Sequence, residues 1–344
     1  MSNSSLNAAK AAKDDEFYTS LSDVEKEMQY YKAHFKGKTV FCNCDDPEWS
    51  AFWQYFSLNF KHLGLKRLVS THYEPGGPSY RLDISEYGQQ TLPMALEGDG
   101  DFRSDECLAI LDECDIVCTN PPFSLFREFI SVLVAHGKEF IVLGNMNAIT
   151  YKEIFPLIRD GRLWLGPPAC NGAKTYRRPD GSDRKLGNTM WYTNIDHAQR
   201  HEPLILCRKY TPEEYPTYDN YDAIEVSRTS DIPMDYTGPM GVPVSYLDKH
   251  NPEQFDIIDR NNGPVIDGKG TYKRIIIKAK RNGVMGVPIS FLDRYCPEQF
   301  VLIGTTASWD ESEEMQRIKT SATKRHGPFI NGKECYRRLL IRRR

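Results

Sequence analysis

Short apolar runs alternate with amphipathic stretches through the first two-thirds of this 344-residue chain. Four runs are short and nearly continuous in apolar residues, and are predicted to be buried strands: 39–44, 67–71, 115–118 and 140–143. Three stretches carry apolar residues at helical spacing and are predicted helices: 48–63, 107–111 and 124–136, the last capped by Ser124. Strands that are apolar on both faces predict an α/β fold, with a parallel sheet covered by helices on both sides.

The alternation ends near Tyr210, where prolines and tyrosines cluster. A chain of this length exceeds one average domain, so two units are expected. We predict a polar, disordered N-terminus over residues 1–13, an α/β domain over 14–210 and a distinct region over 211–344.

The C-terminal region contains an internal repeat, with copies at 240–278 and 285–342. Residues 241–255 match residues 286–300 at an offset of 45, and residues 272–278 match 336–342 at an offset of 64. The second copy therefore carries 19 additional residues, near 304–326. A repeated block predicts a repeated structural unit.

Charge is distributed unevenly along the chain. Residues 271–344 contain 16 Lys or Arg and 7 Asp or Glu, a net charge of +9, whereas the first 270 residues carry −12. This asymmetry predicts a C-terminal part that faces a polyanion. A solvated basic face with a tail of arginines is the alternative. The nine cysteines follow no standard zinc spacing, so free thiols and no metal are expected.

The tetrapeptide Asn120-Pro121-Pro122-Phe123 follows a predicted strand at the edge where such sheets bind ligands. An amino nitrogen conjugated with a ring is a poor nucleophile. An Asn side-chain oxygen and a backbone carbonyl can accept its protons and localise its lone pair. Proline supplies a carbonyl without a competing N–H, and an aromatic ring offers a stacking face. A plain strand-to-helix turn is the alternative, but the position between strand and helix favours catalysis.

With these residues the chain resembles the EcoRI-type adenine-specific DNA methyltransferases, over roughly residues 14–278 and, through the second repeat, beyond. The resemblance implies a Rossmann-like class I methyltransferase sheet with helices on both faces, followed by a target-recognition region with the internal repeat. Residues 14–210 would then be the S-adenosylmethionine-binding catalytic domain. The implied reaction is methylation of N6 on an adenine that has been flipped out of the DNA duplex.

The same resemblance implies a set of cofactor contacts. Residues 15–19 are similar to the family's N-terminal cofactor motif, and residues 43–47 form an acidic loop where most methyltransferases have a Gly-rich one. Residue 74 ends the second strand, where an acid commonly binds the ribose, and residues 98–102 resemble the loop that holds the cofactor adenine. The implied cofactor-binding residues are Phe17, Tyr18, Thr19, Asn43, Asp45, Glu74, Asp101, Phe102 and Phe126. Ordinary turns, helix entries and core packing are the alternatives for these positions.

Substrate contacts are implied in two places. Trp191 or Tyr192 would sandwich the flipped base, with core packing as the alternative, and Lys319, Lys324 and Arg325 would contact DNA from the insert of the second copy. Two alternative functions stay open. The protein could be a methyltransferase that acts on RNA adenine or on a protein glutamine amide, or a catalytically degenerate module that binds nucleic acid.

The resemblance implies double-stranded DNA as the partner, no membrane association, and a cytoplasmic location in a bacterial or phage-infected cell. It leaves open a cognate restriction endonuclease that would act in the same restriction-modification system without a stable complex.

Overall fold

The computed structural model describes residues 19–44, 46–74, 77–85, 87–177, 183–220, 222–261, 264–266, 268–270, 273–280, 285–288, 300–305, 329–330, 333–334 and 338–343. The chain divides into two compact units. The first contains Met1–Glu202 together with Val244–His250, and the second contains Pro203–Pro243 and Asn251–Arg344. The predicted domain boundaries at residues 13 and 210 stay predictions.

The first unit is built on a nine-stranded sheet in the order β4-β3-β2-β1-β5-β6-β9-β7, with β8 paired to β9. Its strands are β1 Thr39–Cys42, β2 Arg67–Thr71, β3 Tyr80–Ile84, β4 Met94–Ala95, β5 Ile116–Thr119, β6 Glu139–Asn145, β7 Trp164–Leu165, β8 Gly172–Arg177 and β9 Asp183–Thr193. The pairs β1–β2, β1–β5 and β5–β6 are parallel. The remaining strands join antiparallel, so the sheet is mixed and the predicted parallel sheet is its central part.

The strand order places a ligand crevice at the centre of this sheet. From β1 the chain runs outward to β2, then returns to the other side of β1 to form β5. Loops that leave the carboxyl ends of β1 and β5 therefore diverge, and such switch points are where open α/β sheets bind ligands.

Six α-helices of the described chain belong to the first unit: α1 Leu21–Met28, α2 Ala51–Leu58, α3 Phe60–Leu63, α4 Asp105–Asp112, α5 Phe126–Ala135 and α6 Phe155–Arg159. The helix predicted over 48–63 is wrong at its start and in its continuity. Ser50 caps α2 by accepting from the Trp53 N–H at 3.2 Å, and Asn59 separates α2 from α3. The remaining apolar positions fall on the predicted face, but Trp49 precedes the helix and is exposed.

The predicted cap of α5 is also wrong. The helix begins at Phe126, and its N-cap residue Leu125 makes no side-chain capping hydrogen bond. The Leu125 N–H donates to the Pro122 carbonyl at 2.9 Å, so residues 122–125 form a turn. The two prolines hold this turn apart from the helix, which shifts the helix start beyond Ser124.

Helices cover both faces of the sheet. Consecutive residues on a strand point to opposite faces. Trp191 of β9 packs edge-on against Phe52 of α2 at 5.9 Å, whereas Tyr192 packs against Phe126 of α5 at 4.9 Å. The two helices therefore lie on opposite sides, as the doubly wound Rossmann-like fold requires. A core cluster on the α2 side includes Val40, Cys42, Ile116, Cys118, Ile141 and Leu143.

The second unit contains a four-stranded sheet in the order β10-β11-β15-β12. Its strands are β10 Ile224–Glu225, β11 Pro239–Pro243, β12 Phe255–Asn261 and β15 Arg274–Ala279, and β13 Val265–Ile266 pairs with β14 Lys269–Gly270. A further sheet has the order β16-β20-β17, from β16 Met285–Pro288, β17 Phe300–Thr305 and β20 Arg338–Arg343, with β18 Phe329–Ile330 paired to β19 Lys333–Glu334. The internal repeat itself stays a prediction.

No helix within the described ranges is long and apolar enough to cross a membrane.

Candidate active site

The loops after β1 and β5 are joined directly at the carboxyl edge of the sheet. Thr119, the last residue of β5, is fully buried, and its hydroxyl donates a hydrogen bond to the backbone carbonyl of Asn43. Asn43 follows β1 and is 4% exposed, and Asn120 follows β5 and is 7% exposed. The predicted catalytic loop and the predicted cofactor loop thus meet across two neighbouring strands.

The Asn-Pro-Pro-Phe loop is only partly covered. Asn120 and Pro121 are buried, while Pro122 and Phe123 are half-buried and reach toward solvent. The turn closed by the Pro122 carbonyl fixes the backbone here, and two consecutive prolines restrict it further. The loop therefore presents an amide and an aromatic ring from a rigid support, as a site for a planar amino group needs.

The loop after β1 has an unusual backbone. Cys44 has φ of +68°, in the left-handed region that non-glycine residues adopt rarely. The turn lies in the loop between β1 and α2. Such a conformation costs on the order of 1 kcal/mol or more and persists where the surroundings impose it.

A polar cluster that the sequence reasoning missed lies beside this loop. The Asp46 carboxylate accepts from the Tyr80 hydroxyl at 3.3 Å and lies 3.5 Å from Nδ1 of His72. His72 and Tyr80 stack with ring centroids 5.0 Å apart, and burial with the nearby Asp46 charge raises the pKa of Tyr80 to about 12. Asp46 was visible in the sequence, but its partners come from the residue that follows β2 and from β3.

The predicted ribose and adenine loops also touch. The Glu74 N–H donates to the Asp99 carbonyl at 3.1 Å. Gly100 has φ of +78°, and a Cβ at this position would overlap the His72 carbonyl oxygen. Only glycine fits this approach, so the sequence Gly-Asp-Gly-Asp-Phe packs closely on the end of β2.

Asp101 and Phe102 are held by a neighbour that the sequence reasoning did not name. Arg103 donates to both oxygens of Asp101, at 2.9 and 2.6 Å, and its hydrogen bonds lower the pKa of that carboxyl. The Arg103 guanidinium also lies 5.4 Å from the Phe102 ring centroid, and Phe102 packs edge-on against Phe129. Asp101 is thus kept ionised, as an acceptor requires, while Phe102 is mostly buried at 7% exposure.

Several buried oxygens of the first unit favour a bound polar ligand. The side-chain oxygens Thr19 Oγ1, Asn43 Oδ1 and Ser79 Oγ are buried and make no hydrogen bond within the described ranges. Buried polar atoms in proteins nearly always have a partner. The ribose, amino and carboxylate groups of S-adenosylmethionine could supply such partners, so the residues present fit that cofactor.

The aromatic residues predicted to line the pockets are deeply buried. Phe126 is 1% exposed and packs over Gly144 of β6, and Trp191 and Tyr192 are fully buried on opposite faces of β9. The Tyr192 hydroxyl donates to the Asn145 carbonyl at 2.8 Å, at the carboxyl end of β6. Of the two candidates for the base pocket, only Tyr192 is on the face of α5, and all three assignments stay predictions.

The remaining predicted residues Phe17, Tyr18, Asp45, Lys319, Lys324 and Arg325 lie outside the described residues. Within the described part of the chain, no group of three or more His, Cys, Asp or Glu side chains could hold a metal ion.

A doubly wound sheet with Asn-Pro-Pro-Phe at the end of a central strand, beside loops with buried polar side chains, is the arrangement of an amino-methyltransferase. The family described as adenine-specific methyltransferase EcoRI matches residues 5–283 and, a second time, residues 273–344. The chain therefore belongs to the EcoRI family of adenine-specific methyltransferases.

Named relatives support the same membership. Type II methyltransferase M.EcoRI of Escherichia coli is 42% identical over 317 residues, covering 81% of this chain and 97% of the relative. Type II methyltransferase M.MpnI of Mycoplasma pneumoniae is 37% identical over 316 residues, covering 80% of this chain and 98% of the relative. No solved structure gives a significant match.

Proposed function

We propose that this protein methylates N6 of adenine at a specific sequence in double-stranded DNA, with S-adenosylmethionine as the methyl donor. The observation that carries the proposal is the position of Asn120-Pro121-Pro122-Phe123. The loop follows a central parallel strand and is tied through Thr119 to the Asn43 carbonyl. The loop that would hold the acceptor, after β5, and the loop that would hold the cofactor, after β1, therefore lie at the same edge of the sheet.

Asn120 and the loop backbone act on the acceptor. The Asn120 side-chain oxygen and a neighbouring carbonyl accept the two amino protons of adenine, which localises the nitrogen lone pair and aims it. Pro121 keeps the carbonyl free of a competing N–H, and the half-buried Phe123 ring stacks on the purine. Since these atoms cannot reach a stacked base, the adenine must leave the duplex.

Residues around β1, β2 and the 98–102 loop hold the cofactor, which supplies an activated methyl group when bound. Asn43 and Thr19 offer buried oxygens without a partner in the described chain. Glu74 lies in the loop after β2, and Asp101 is an ionised acceptor held by Arg103. The Asp46 carboxylate, which accepts from the Tyr80 hydroxyl, adds a negative group in the loop after β1.

The test is methyl transfer by the purified full-length chain. Tritiated S-adenosylmethionine is incubated separately with unmethylated bacterial DNA, RNA and protein, and DNA products are mapped at single-base resolution. We expect label in DNA, at adenine N6 within one short sequence. DNA methylated in this way should resist a restriction endonuclease that recognises the same sequence in the cytoplasm of the same cell. Label confined to RNA or protein, or no transfer at all, contradicts the proposal.

Variants at position 120 test the mechanism. Asn120→Ala should lower the transfer rate by about 100-fold or more, because hydrogen-bond positioning of a nucleophile contributes on this order. Asn120→Gln keeps the amide but displaces it, and should also fail. Cofactor affinity, measured by calorimetry, should stay within about threefold of wild type in both variants. Transfer near the wild-type rate in either variant contradicts the assigned role.

A further inference from the structure

We propose that Arg127 binds a DNA backbone phosphate next to the flipped adenine, in a cavity that begins beside the Asn-Pro-Pro-Phe loop. The inference rests on the proposed function, because it takes DNA as the substrate. It depends on the order of the strands, on the charged side chains around the cavity, and on the aromatic ring that Arg127 contacts.

The strand order leaves one side of the catalytic loop for the substrate. Strands β2, β1, β5 and β6 are neighbours in that order and run parallel, so the loops that follow them lie at one edge of the sheet. The loops proposed to hold the cofactor follow β1 and β2, on one side of β5, and the loop after β6 lies on the other side. A nucleotide that approaches Asn120 is therefore expected to enter beside the loop after β6, because the cofactor occupies the opposite side.

A surface cavity of about 550 Å³ lies along α5, the helix that follows the catalytic loop. Its lining begins at Ser124, which directly follows Phe123, and continues with four residues of α5 between positions 127 and 132. Arg103 and Glu153 complete the lining. Arg103 follows the loop proposed for the cofactor adenine, whereas Glu153 lies in the segment between β6 and α6. The cavity therefore extends from the cofactor side of the catalytic loop to the side where the substrate is expected.

Two of the charged groups at this cavity neutralise each other. Arg103 lies 3.0 Å from Glu128 of α5 and also donates to both oxygens of Asp101. Arg103 is thus held toward the cofactor loop. Arg127 precedes Glu128 on α5 and forms no ion pair and no side-chain hydrogen bond with any residue that the structure describes. Because Arg127 is also exposed, it is the positive charge that an anion can reach.

An aromatic ring contacts Arg127 without neutralising it. The guanidinium carbon lies 5.4 Å from the centroid of the Tyr151 ring. Tyr151 belongs to the loop after β6, where its N–H donates to the Ala148 carbonyl at 2.9 Å. β6 ends at Asn145, whose carbonyl accepts from the hydroxyl of Tyr192, a candidate for the base pocket. A guanidinium near a ring stays charged and keeps the N–H donors that match a phosphate, so the contact holds Arg127 on the substrate side in a form that binds anions.

A carboxylate limits how strongly the cavity attracts an anion. Glu153 is half-buried, and its Oε2 is buried and makes no hydrogen bond within the described ranges. A negative charge in the same cavity repels a phosphate, with an energy that falls as the distance grows. Because Arg127 is exposed and can touch the phosphate, its attraction exceeds this repulsion. Removal of the two charges, one at a time, should therefore change DNA affinity in opposite directions.

The position of Arg127 in the chain points to a phosphate close to the target adenine. Arg127 is four residues after Phe123, and an α-helix rises only about 1.5 Å per residue. An adenine stacked on the Phe123 ring would therefore bring its own phosphates close to the start of α5. Contacts to phosphates fix the register and orientation of DNA without reading its sequence. Arg127 thus holds the backbone, while Asn120 and Phe123 act on the base.

The first test measures DNA binding by the full-length chain and by Arg127→Gln, which keeps a polar side chain without the charge. Fluorescence anisotropy is recorded against salt concentration on a duplex of about 25 base pairs centred on the mapped adenine. Arg127→Gln should weaken binding by about 10-fold, because a charge-assisted hydrogen bond is lost. The slope of log K against log salt should fall by about 1, the value for one phosphate contact. Calorimetric affinity for S-adenosylmethionine should stay within about threefold of wild type, which shows that the variant is folded.

The second test locates the phosphate. An uncharged methylphosphonate replaces one phosphate at a time at the positions near the adenine on the target strand. For wild type, one position should weaken binding by about 10-fold. Arg127→Gln should lose nothing further at that position, because the contact is already absent, and should respond like wild type at the other positions. Such non-additivity indicates direct contact, whereas a general loss of structure would affect all positions alike.

Three further variants separate charge from folding. Arg127→Lys keeps the charge and should recover the wild-type salt slope. Glu153→Gln removes the repulsion and should tighten DNA binding by about threefold. Arg162→Gln is the matched control and should leave affinity and slope unchanged. Arg162 is an exposed arginine that precedes β7 at the edge where β6 begins, away from the catalytic edge.

The remaining outcomes also decide. Equal salt slopes for wild type and Arg127→Gln, the same methylphosphonate profile in both, or a lysine variant that keeps the reduced slope overturns the proposal. If Arg127→Gln does not fold, the sign of the effect of Glu153→Gln decides, since weaker or unchanged binding contradicts the charge assignment. DNA methylation by wild type together with equal slopes refutes this proposal alone, whereas a wild-type chain that methylates no DNA refutes the proposed function and this proposal with it.

Discussion

At the scale of single residues, the candidate cofactor site depends on positions where backbone conformation leaves little choice. Gly100 is left-handed and lies where a Cβ would overlap the His72 carbonyl, and Cys44 adopts a left-handed turn although it is not a glycine. Cys44 lies in the loop that leaves the carboxyl end of β1, and Gly100 lies in a loop that packs on the carboxyl end of β2. The cradle is therefore shaped first by backbone, and side chains such as Asp46 and Arg103 are then held within it.

Gly100→Ala is predicted to weaken cofactor binding by about 10-fold or more, because the new methyl group pushes the 98–102 loop away from β2. Gly37→Ala is the matched control, since Gly37 has φ of +74° but nothing within 4 Å of its Cβ position. Both variants should lose about 1 kcal/mol of stability to the left-handed backbone. Calorimetric titration with S-adenosylmethionine should show the loss of affinity in Gly100→Ala alone; equal affinities would refute the role of this contact.

At the scale of secondary-structure elements, the site depends on strands brought together from distant parts of the chain. The Trp191 N–H of β9 donates to Asn171, whose amide in turn donates to Asp248 in the segment Val244–His250 of the first unit. Burial raises the pKa of Asp248 to about 6. The Asp248 carboxyl, which lies in the first unit, is therefore buried there at a cost when it is ionised.

Asp248→Asn is predicted to stabilise the first unit at neutral pH. The unfolded carboxyl loses its proton near pH 4 and the folded one near pH 6, so the folded chain holds the extra proton between these values. Wild-type stability should therefore fall as pH rises from about 4 to about 6, and stay lower above it. Asparagine does not titrate and can still accept from Asn171, so the variant should gain roughly 1–2 kcal/mol at pH 7 and almost nothing at pH 4.

Thermal melts at several pH values test this expectation. Asp222→Asn, at an exposed carboxyl, is the control and should not change the pH dependence. An advantage of Asp248→Asn that is equal at pH 4 and pH 7 would mean that titration of the carboxyl is not its cause.

The ends of the helices show what the local sequence pattern can and cannot predict. The apolar spacing over 48–63 correctly indicated a helical face, but it could not show that Ser50 caps the helix or that Asn59 interrupts it. Likewise, Ser124 is a good cap by type, yet the Pro122 turn shifts the start of α5 to Phe126. Periodicity reports which face is buried, whereas helix ends depend on individual hydrogen bonds.

At the scale of the whole molecule, the chain consists of two compact units, and the proposed cofactor contacts all lie in the first. A ligand stabilises only the structure that binds it. The two units are therefore expected to respond differently to the cofactor.

Saturating S-adenosylmethionine is predicted to shift the unfolding transition of the first unit alone. At 100 times its dissociation constant the cofactor contributes about 2.7 kcal/mol. Differential scanning calorimetry gives the transitions, and hydrogen exchange assigns them to residues. Added protection should concentrate in the loops after β1 and β2 and in residues 98–102. Equal protection across β11, β12 and β15 would place cofactor binding elsewhere.

The sequence by itself determined the central strands of the sheet and the loops in which we propose the chemistry. Short apolar runs identified β1, β2, β5 and β6, and the residues directly after them named the Asn43 and Asn120 loops, because strand periodicity and turn chemistry are local properties. Only the tertiary structure decided which loops meet. The placement of β5 beside β1 brings Thr119 to the Asn43 carbonyl, β3 brings Tyr80 to Asp46, and alternation along β9 sends Trp191 and Tyr192 to opposite faces. These contacts join residues far apart in the chain, so they depend on strand order and packing, which local patterns do not encode.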